Sequence, residues 1–210
     1  MADHLAAVGS VEGPPRGRRV RKSPAARRAE LLLAARQVIN EGGLAEGGMA
    51  AVATEAGVSA GLLYHYFPAG RTELLDAVAL DLLDDLVERM RVAENLPFSP
   101  IGRLEQVLAV MVGFFSEQPA AHRLLLADDG AEPGAADDPD GVHHLAYVRL
   151  VSAITALMAG SGQSADELMA AGTALLGHLS EGVGASLRGE IEPEAAWRSC
   201  CERAAELLAA

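Results

Sequence analysis

The stretch from Ala53 to Phe67 reads ATEAGVSAGLLYHYF, and the order of its apolar and turn-forming residues predicts two short helices joined by a tight turn. Gly57 stands where the turn needs a positive φ, which glycine adopts without a Cβ clash. Two residues later Ser59 offers the hydroxyl that caps the next helix. The first helix is expected over Met49 to Ala56, behind Gly47-Gly48, and the second over Ala60 to about Phe67. Val52, Ala53, Val58, Leu63 and Phe67 form the inward face, with Ala53 small where the two helices cross. A pair of this kind is a helix-turn-helix unit, whose second helix lies in the major groove of DNA while the first crosses the backbone.

On the N-terminal side, Ser23 and Pro24 are an N-cap and a first helical residue. Leu31, Leu32, Ala35, Val38 and Ile39 then recur at helical spacing until Gly42-Gly43. On the other side, Pro68-Ala69-Gly70 breaks the pattern ahead of a long helix from about Arg71 to Glu94, with Leu74, Leu75, Val78, Leu82, Leu86 and Met90 on one side. Its length of roughly 36 Å is enough to connect two domains. Five further helices are expected at about 100–117, 119–127, 142–159, 164–188 and 193–209. They open on Ser99-Pro100, Pro119, the capping box Ser164-x-x-Glu167 and Pro193. Half of the residues are hydrophobic and only 4% aromatic, and no β-type alternation competes. The expected fold is all-α, with about nine helices. Residues 1–22 form a disordered basic arm, 23–70 a three-helix helix-turn-helix domain, and 71–210 a helical ligand-binding and dimerisation domain. The acidic, Gly/Pro-rich segment 128–141 reads as a mobile loop.

A net charge of -12 over 210 residues looks wrong for a partner of nucleic acid until it is divided along the chain. Residues 1–28 carry seven basic groups, Arg16, Arg18, Arg19, Arg21, Lys22, Arg27 and Arg28, against Asp3 and Glu12, a net of +5. The remainder holds 10 basic and 27 acidic groups, a net of -17. Positive charge is therefore concentrated beside the candidate DNA-binding motif. No apolar run approaches the roughly 18 residues that a membrane helix needs, so no membrane association is expected. The cysteines, Cys200 and Cys201, are adjacent, which is neither a disulfide framework nor a metal spacing. A reducing cytoplasm suits them, and no cofactor is called for.

Residues Leu31 to Leu75 resemble the TetR family of transcriptional regulators. The likeness rests on Ala53, Gly57-Val58-Ser59, Gly61, Leu63-Tyr64-His65-Tyr66-Phe67, and Arg71 with Leu74 opening the long helix. It implies a homodimer on operator DNA, with an effector pocket in each C-terminal domain. Tyr64 and His65 offer hydrogen-bond donors to phosphates, as does Ser59 at the start of the recognition helix, and Arg71 adds charge. The sequence departs from the family pattern at Gly48, where Ser or Thr is common, and at Ala60 and Leu62, where polar residues are frequent. Arg71 stands where Lys is commoner and follows an extra residue in the preceding turn. Ala60, Gly61 and Leu62 lack the bidentate groups that read guanine or adenine, leaving thymine-methyl contacts, backbone groups and DNA shape. Arg19, Arg21 and Lys22 of the arm either compensate by entering an adjacent minor groove, or contact only phosphate or nothing.

In the C-terminal half, Leu168, Gly172, Leu175, Leu179, Val183 and Leu187 share one helical face, and Trp197, Cys200, Cys201, Ala204, Leu207 and Leu208 another. With Ala171, Gly172 and Gly182 allowing close approach, helices 164–188 and 193–209 are expected to pair with their symmetry mates. Leu86, Met90, Phe98, Met111, Phe114, Phe115, Tyr147 and Met158, with His122 and His178 as polar contacts, suit an apolar pocket for a hydrophobic small-molecule effector. The expected function is a ligand-responsive regulator, a repressor released from a palindromic operator, and not an enzyme. The alternatives are a helical small-molecule binding protein with a degenerate helix-turn-helix, or an enzyme. For the latter, Gly177 to Gly182 resembles a nucleophile elbow but has one residue too many and no preceding strand. Asp137, Asp138 and Asp140 with His143-His144 read as a hydrated acidic loop rather than a metal site.

Overall fold

A computed structural model of the chain describes residues 22–42, 44–126, 141–159 and 161–209. The basic arm up to Arg21, including Arg19, and most of the acidic segment 128–141 lie outside the described residues. Among those described there is no strand. The helices are α1 (Pro24–Asn40), α2 (Leu44–Glu55), α3 (Ala60–Tyr66), α4 (Arg71–Glu94), α5 (Pro100–Glu117), α6 (Pro119–Leu125), α7 (Val142–Met158), α8 (Ala165–Leu187) and α9 (Pro193–Ala209). No helix among the described residues is long and apolar enough to cross a membrane.

Helix boundaries follow their local chemistry. The Ser23 hydroxyl accepts the Ala26 N–H at 3.2 Å with Pro24 in the first turn, and Ser99 does the same for Gly102 ahead of Pro100. Ser164 and Glu167 close a reciprocal box at the start of α8, with Ser164 N–H donating to the Glu167 carboxylate at 2.7 Å and Glu167 N–H donating to Ser164 Oγ at 3.3 Å. That backbone donor holds the Glu167 carboxyl below its usual range. Each such cap is worth about 1 kcal/mol.

Two boundaries differ from the sequence reading. Helical structure in α2 begins at Leu44 rather than Met49, but Gly48 interrupts it with φ 52° and ψ -144°, so a first turn and the regular helix meet at a kink. Only a residue without Cβ takes that conformation cheaply. α6 stops at Leu125, two residues short of the reading.

α4 is the axis of the molecule. It packs against α1, α5, α6 and α7, which explains why burial extends beyond one stripe. Ala77, Ala79, Leu83 and Ala93 are buried together with Leu74, Val78, Leu82, Leu86 and Met90, whereas Leu75 is half-buried. The buried apolar residues form one cluster reaching from Leu31 of α1 to Ala204 of α9.

Candidate nucleic-acid interface

The turn between α2 and α3 is held by backbone bonds on both sides of Gly57, which has φ 63°. Gly57 N–H donates to Thr54 O at 3.0 Å, and Val58 N–H donates to Ala53 O at 2.9 Å. Ser59, in extended backbone, accepts the Leu62 N–H on its hydroxyl at 3.2 Å. Val52, Ala53, Leu63 and Phe67 are buried and Val58 is half-buried. The opposite face presents Ser59, Ala60, Gly61, Tyr64 and His65 to solvent, with Leu62 half-buried beside them.

α3 ends in a turn closed by Gly70 N–H on Phe67 O at 2.9 Å. Gly70 has φ 77°, and a Cβ there would lie 3.6 Å from Tyr64 Cε1. The Tyr64 ring therefore leans on the turn while remaining 49% exposed. The Glu73 carboxylate accepts Ala69 N–H at 2.8 Å, and Arg71, the first residue of α4, is exposed on the same turn. His65 meets Tyr66 edge to face at 5.5 Å.

Sequence reasoning passed over Arg28 as a site residue. Its guanidinium stacks 5.3 Å from the centroid of the Phe67 ring, placing an exposed cation at the end of α3. Its membership of the basic N-terminal cluster was the available signal. Lys22 bonds to Glu30, which also receives Arg27 at 2.8 Å. These partners, the Lys22 hydrogen bond above all, hold the Glu30 carboxyl below its usual range. Gly48 sits at the kink of α2, half-buried. The group has the makings of a phosphate-facing surface: hydroxyl, imidazole and guanidinium donors carried on short helices whose inward faces lock their orientation.

The residues assigned to an effector pocket do not gather on one wall. Leu86, Met90, Met111, Phe114, Phe115 and Met158 are packed in the core, and Phe98 is 49% exposed at the start of α5. His178 bonds to Ser199 Oγ at 2.8 Å. His122 is buried, donates from Nε2 to the Ser180 carbonyl at 3.0 Å and meets Phe115 edge to face. A cleft of about 450 Å³ opens instead between the end of α6, the start of α7 and the middle of α8. Leu125, Leu126 and Leu176 supply apolar wall, and His143, His144, Tyr147, Thr173 and Ser180 supply polar groups. Tyr147 is the one residue of the expected set on this wall, and its hydroxyl donates to Thr173 Oγ1 at 3.0 Å.

Side chains expected to meet a symmetry mate are used within the chain. Ala196, Cys200 and Ala204 are buried, with Trp197, Cys201, Leu207 and Leu208 packed on the same core. Trp197 Nε1 donates to Glu105 O of α5 at 3.1 Å. A Cβ on Gly172 would fall 2.6 Å from Thr155 Oγ1 of α7, and one on Gly182 would lie 3.4 Å from Ala196 Cβ of α9. Burial, with some help from Cys201, pushes the Cys200 thiol up to about 12, and burial, with help from Glu105 and Glu202, pushes Cys201 up to about 11. Both stay protonated and poorly nucleophilic at neutral pH. Gly177 to Gly182 lies inside α8, so Ser180 is a helical residue and not one on a strained turn.

Residues 31–78 match the family model described as bacterial regulatory proteins, tetR family. The chain is 38% identical over 87 residues to the HTH-type transcriptional regulator BetI of Escherichia coli (strain K12), an alignment that covers 41% of this chain and 43% of that regulator. The fold matches a TetR-like transcriptional regulator from Rhodococcus sp. RHA1 with a TM-score of 0.69 and 24% identity, over 90% of this chain and 99% of the other. It also matches a putative TetR-family regulator from Syntrophomonas wolfei with a TM-score of 0.73 and 11% identity, over 90% and 97%. At these identities the structural likeness concerns the fold.

Proposed function

We propose that the chain is a DNA-binding transcriptional regulator of the TetR family, a repressor released from its operator by a small molecule; the family-model match over residues 31–78 and the likeness to BetI support the reading. The observation that carries the reading is the α2–Gly57–α3 unit, whose buried Val52, Ala53, Leu63 and Phe67 leave Ser59, Tyr64 and His65 outward beside Arg71. We assign 23–70 to the DNA-binding domain and 71–210 to the domain that binds the effector and pairs two copies through α8 and α9. Two-fold pairing would set the recognition helices about 34–36 Å apart, or a multiple of it, and so select a palindrome.

Side chains in this interface favour docking over base reading. Ser59, Tyr64, His65 and Arg71 suit phosphate oxygens, Arg28 joins them from the Phe67 side, and Ala60, Gly48 and Leu62 leave close backbone approach and methyl contacts. Arg19, Arg21 and Lys22 of the arm would then add sequence preference through groove shape. For the effector, the cleft of α6, α7 and α8 supports an apolar molecule with a polar group able to meet Tyr147, Thr173 or a histidine of the rim.

Selection of duplexes from a random pool tests the reading. A palindromic product is expected, with an affinity that falls steeply with salt. Tyr64→Ala and Arg71→Ala should each weaken binding about tenfold or more across sequences, and Arg71→Ala should also lower the salt slope by about one. The absence of any selected duplex would favour the second reading, a helical small-molecule binder, to which the apolar Ala60-Gly61-Leu62 run also points.

A further inference from the structure

Helix α8 carries glycine at 172, 177, 182 and 184, and packing accounts for all but one of them. A Cβ on Gly172 would meet Thr155 of α7, one on Gly182 would meet Ala196 of α9, and one on Gly184 would crowd Arg188 and the His122 ring of α6. At Gly177 an added Cβ meets nothing within 4 Å. Packing within the chain therefore has no use for that glycine, and glycine in a helix interior is destabilising relative to alanine. What Gly177 faces is the cleft between α6, α7 and α8, whose wall it lines.

Thr173, Gly177 and Ser180 line the cleft together from α8. Steps of four and three residues put them on one face of the helix. The two hydroxyl-bearing residues stand roughly 10 Å apart along its axis, with the glycine between them. Tyr147 donates its hydroxyl to Thr173 Oγ1 at 3.0 Å, which leaves the Thr173 hydrogen to donate elsewhere. His122 Nε2 reaches both oxygens of Ser180, the carbonyl at 3.0 Å and Oγ at 3.3 Å, and so leaves the Ser180 hydrogen to donate elsewhere too. The α8 side of the cleft is a strip of bare helix backbone with a hydroxyl donor at each end. Leu125 and Leu126 give the α6 side an apolar surface. Among the described lining residues there is no Asp, Glu, Lys or Arg, so a charged ligand would give up water without gaining a permanent counter-charge.

We infer that the cleft takes a flat, uncharged aromatic molecule with a hydrogen-bond acceptor at each end, laid along α8 over Gly177 with its ends on Thr173 and Ser180. This rests on the small-molecule part of the regulatory reading above and names the class of effector. A side chain at 177 would lift such a ring system off the helix, whereas a ligand held only by the apolar side has no need of bare backbone. The cleft volume, about 450 Å³, lies in the range of pockets that bury drug-sized molecules.

Dimethyl naphthalene-2,6-dicarboxylate is a probe of this class. Methyl 2-naphthoate removes the acceptor at one end, and naphthalene-2,6-dicarboxylate keeps the shape with a charge at each end. Titration of the full chain, followed by probe fluorescence, should give the diester as the tightest ligand, the monoester about fivefold weaker and the dianion weaker still. Thr173→Val and Ser180→Ala should each bring the diester to about the level of the monoester. Gly177→Ala should melt at or above the wild-type temperature yet bind the diester about tenfold more weakly, which separates a lost binding surface from lost folding. Equal binding of diester and dianion, undiminished binding of the diester by Gly177→Ala, or no binding of any probe overturns the inference. A diester that binds as expected yet leaves affinity for a selected duplex unchanged supports the site and overturns release of DNA by a small molecule, so the two failures are told apart.

Discussion

Ala53 is 5% exposed, and its carbonyl accepts Val58 N–H across the turn. Leucine at 53 would push extra carbons into a space already closed by Val52, Leu63 and Phe67. The expected cost is about 1–3 kcal/mol, with a fall in melting temperature of roughly 2–4 °C for each kcal/mol. Thermal unfolding by circular dichroism measures it, and an unchanged melting temperature would mean that Ala53 has room. The inward set Val52, Ala53, Leu63 and Phe67 was legible because helical periodicity writes it into the order of residues. The stacking of Arg28 on Phe67 and the bond from Ala120 to Asn40 were not. Their partners lie 39 and 80 positions apart, and a pairing made by tertiary approach leaves no periodic trace.

Helix starts were readable for an equally local reason. Ser23, Ser59, Ser99 and Ser164 each accept a backbone N–H three residues on, and a short polar side chain before an apolar-periodic run is a signal contained within four residues. Which side of a helix faces which neighbour was not local. Gly172 was read as a site of approach between two copies, yet it admits α7 of the same chain: Thr155 Oγ1, itself donating to Val151 O at 2.7 Å, occupies the place of a Cβ. Gly172→Ala should force α7 and α8 apart and cost about 1–3 kcal/mol. A denaturant midpoint measures this directly. Gly177→Ala, in open space on the same helix, is the control expected to lose nothing and to gain helix propensity.

For the molecule as a whole, the all-helical architecture of the described residues and the helix-turn-helix were visible in the sequence, and the cleft between α6, α7 and α8 was not. Met111, Phe114 and Phe115 are large and apolar, and such residues read alike whether they fill a core or line a cavity. The cleft is framed by residues of three helices whose convergence only the fold decides. Charge is the other property of this scale. The basic groups gathered before residue 29 stand against an acidic excess after it, and any attraction of a polyanion to the basic segment should weaken as salt rises.

The apolar cluster that runs unbroken from Leu31 to Ala204 has a thermodynamic consequence. Beads joined by a flexible tether melt one by one, whereas elements that share an interior lose it together. A calorimetric scan of the intact chain should give a single endotherm whose van't Hoff and calorimetric enthalpies agree. Two resolved peaks would mean that the head can melt while the rest stands. With one endotherm, a destabilising lesion anywhere in the C-terminal helices depletes the species competent to hold DNA, even though it touches none of the DNA-facing side chains.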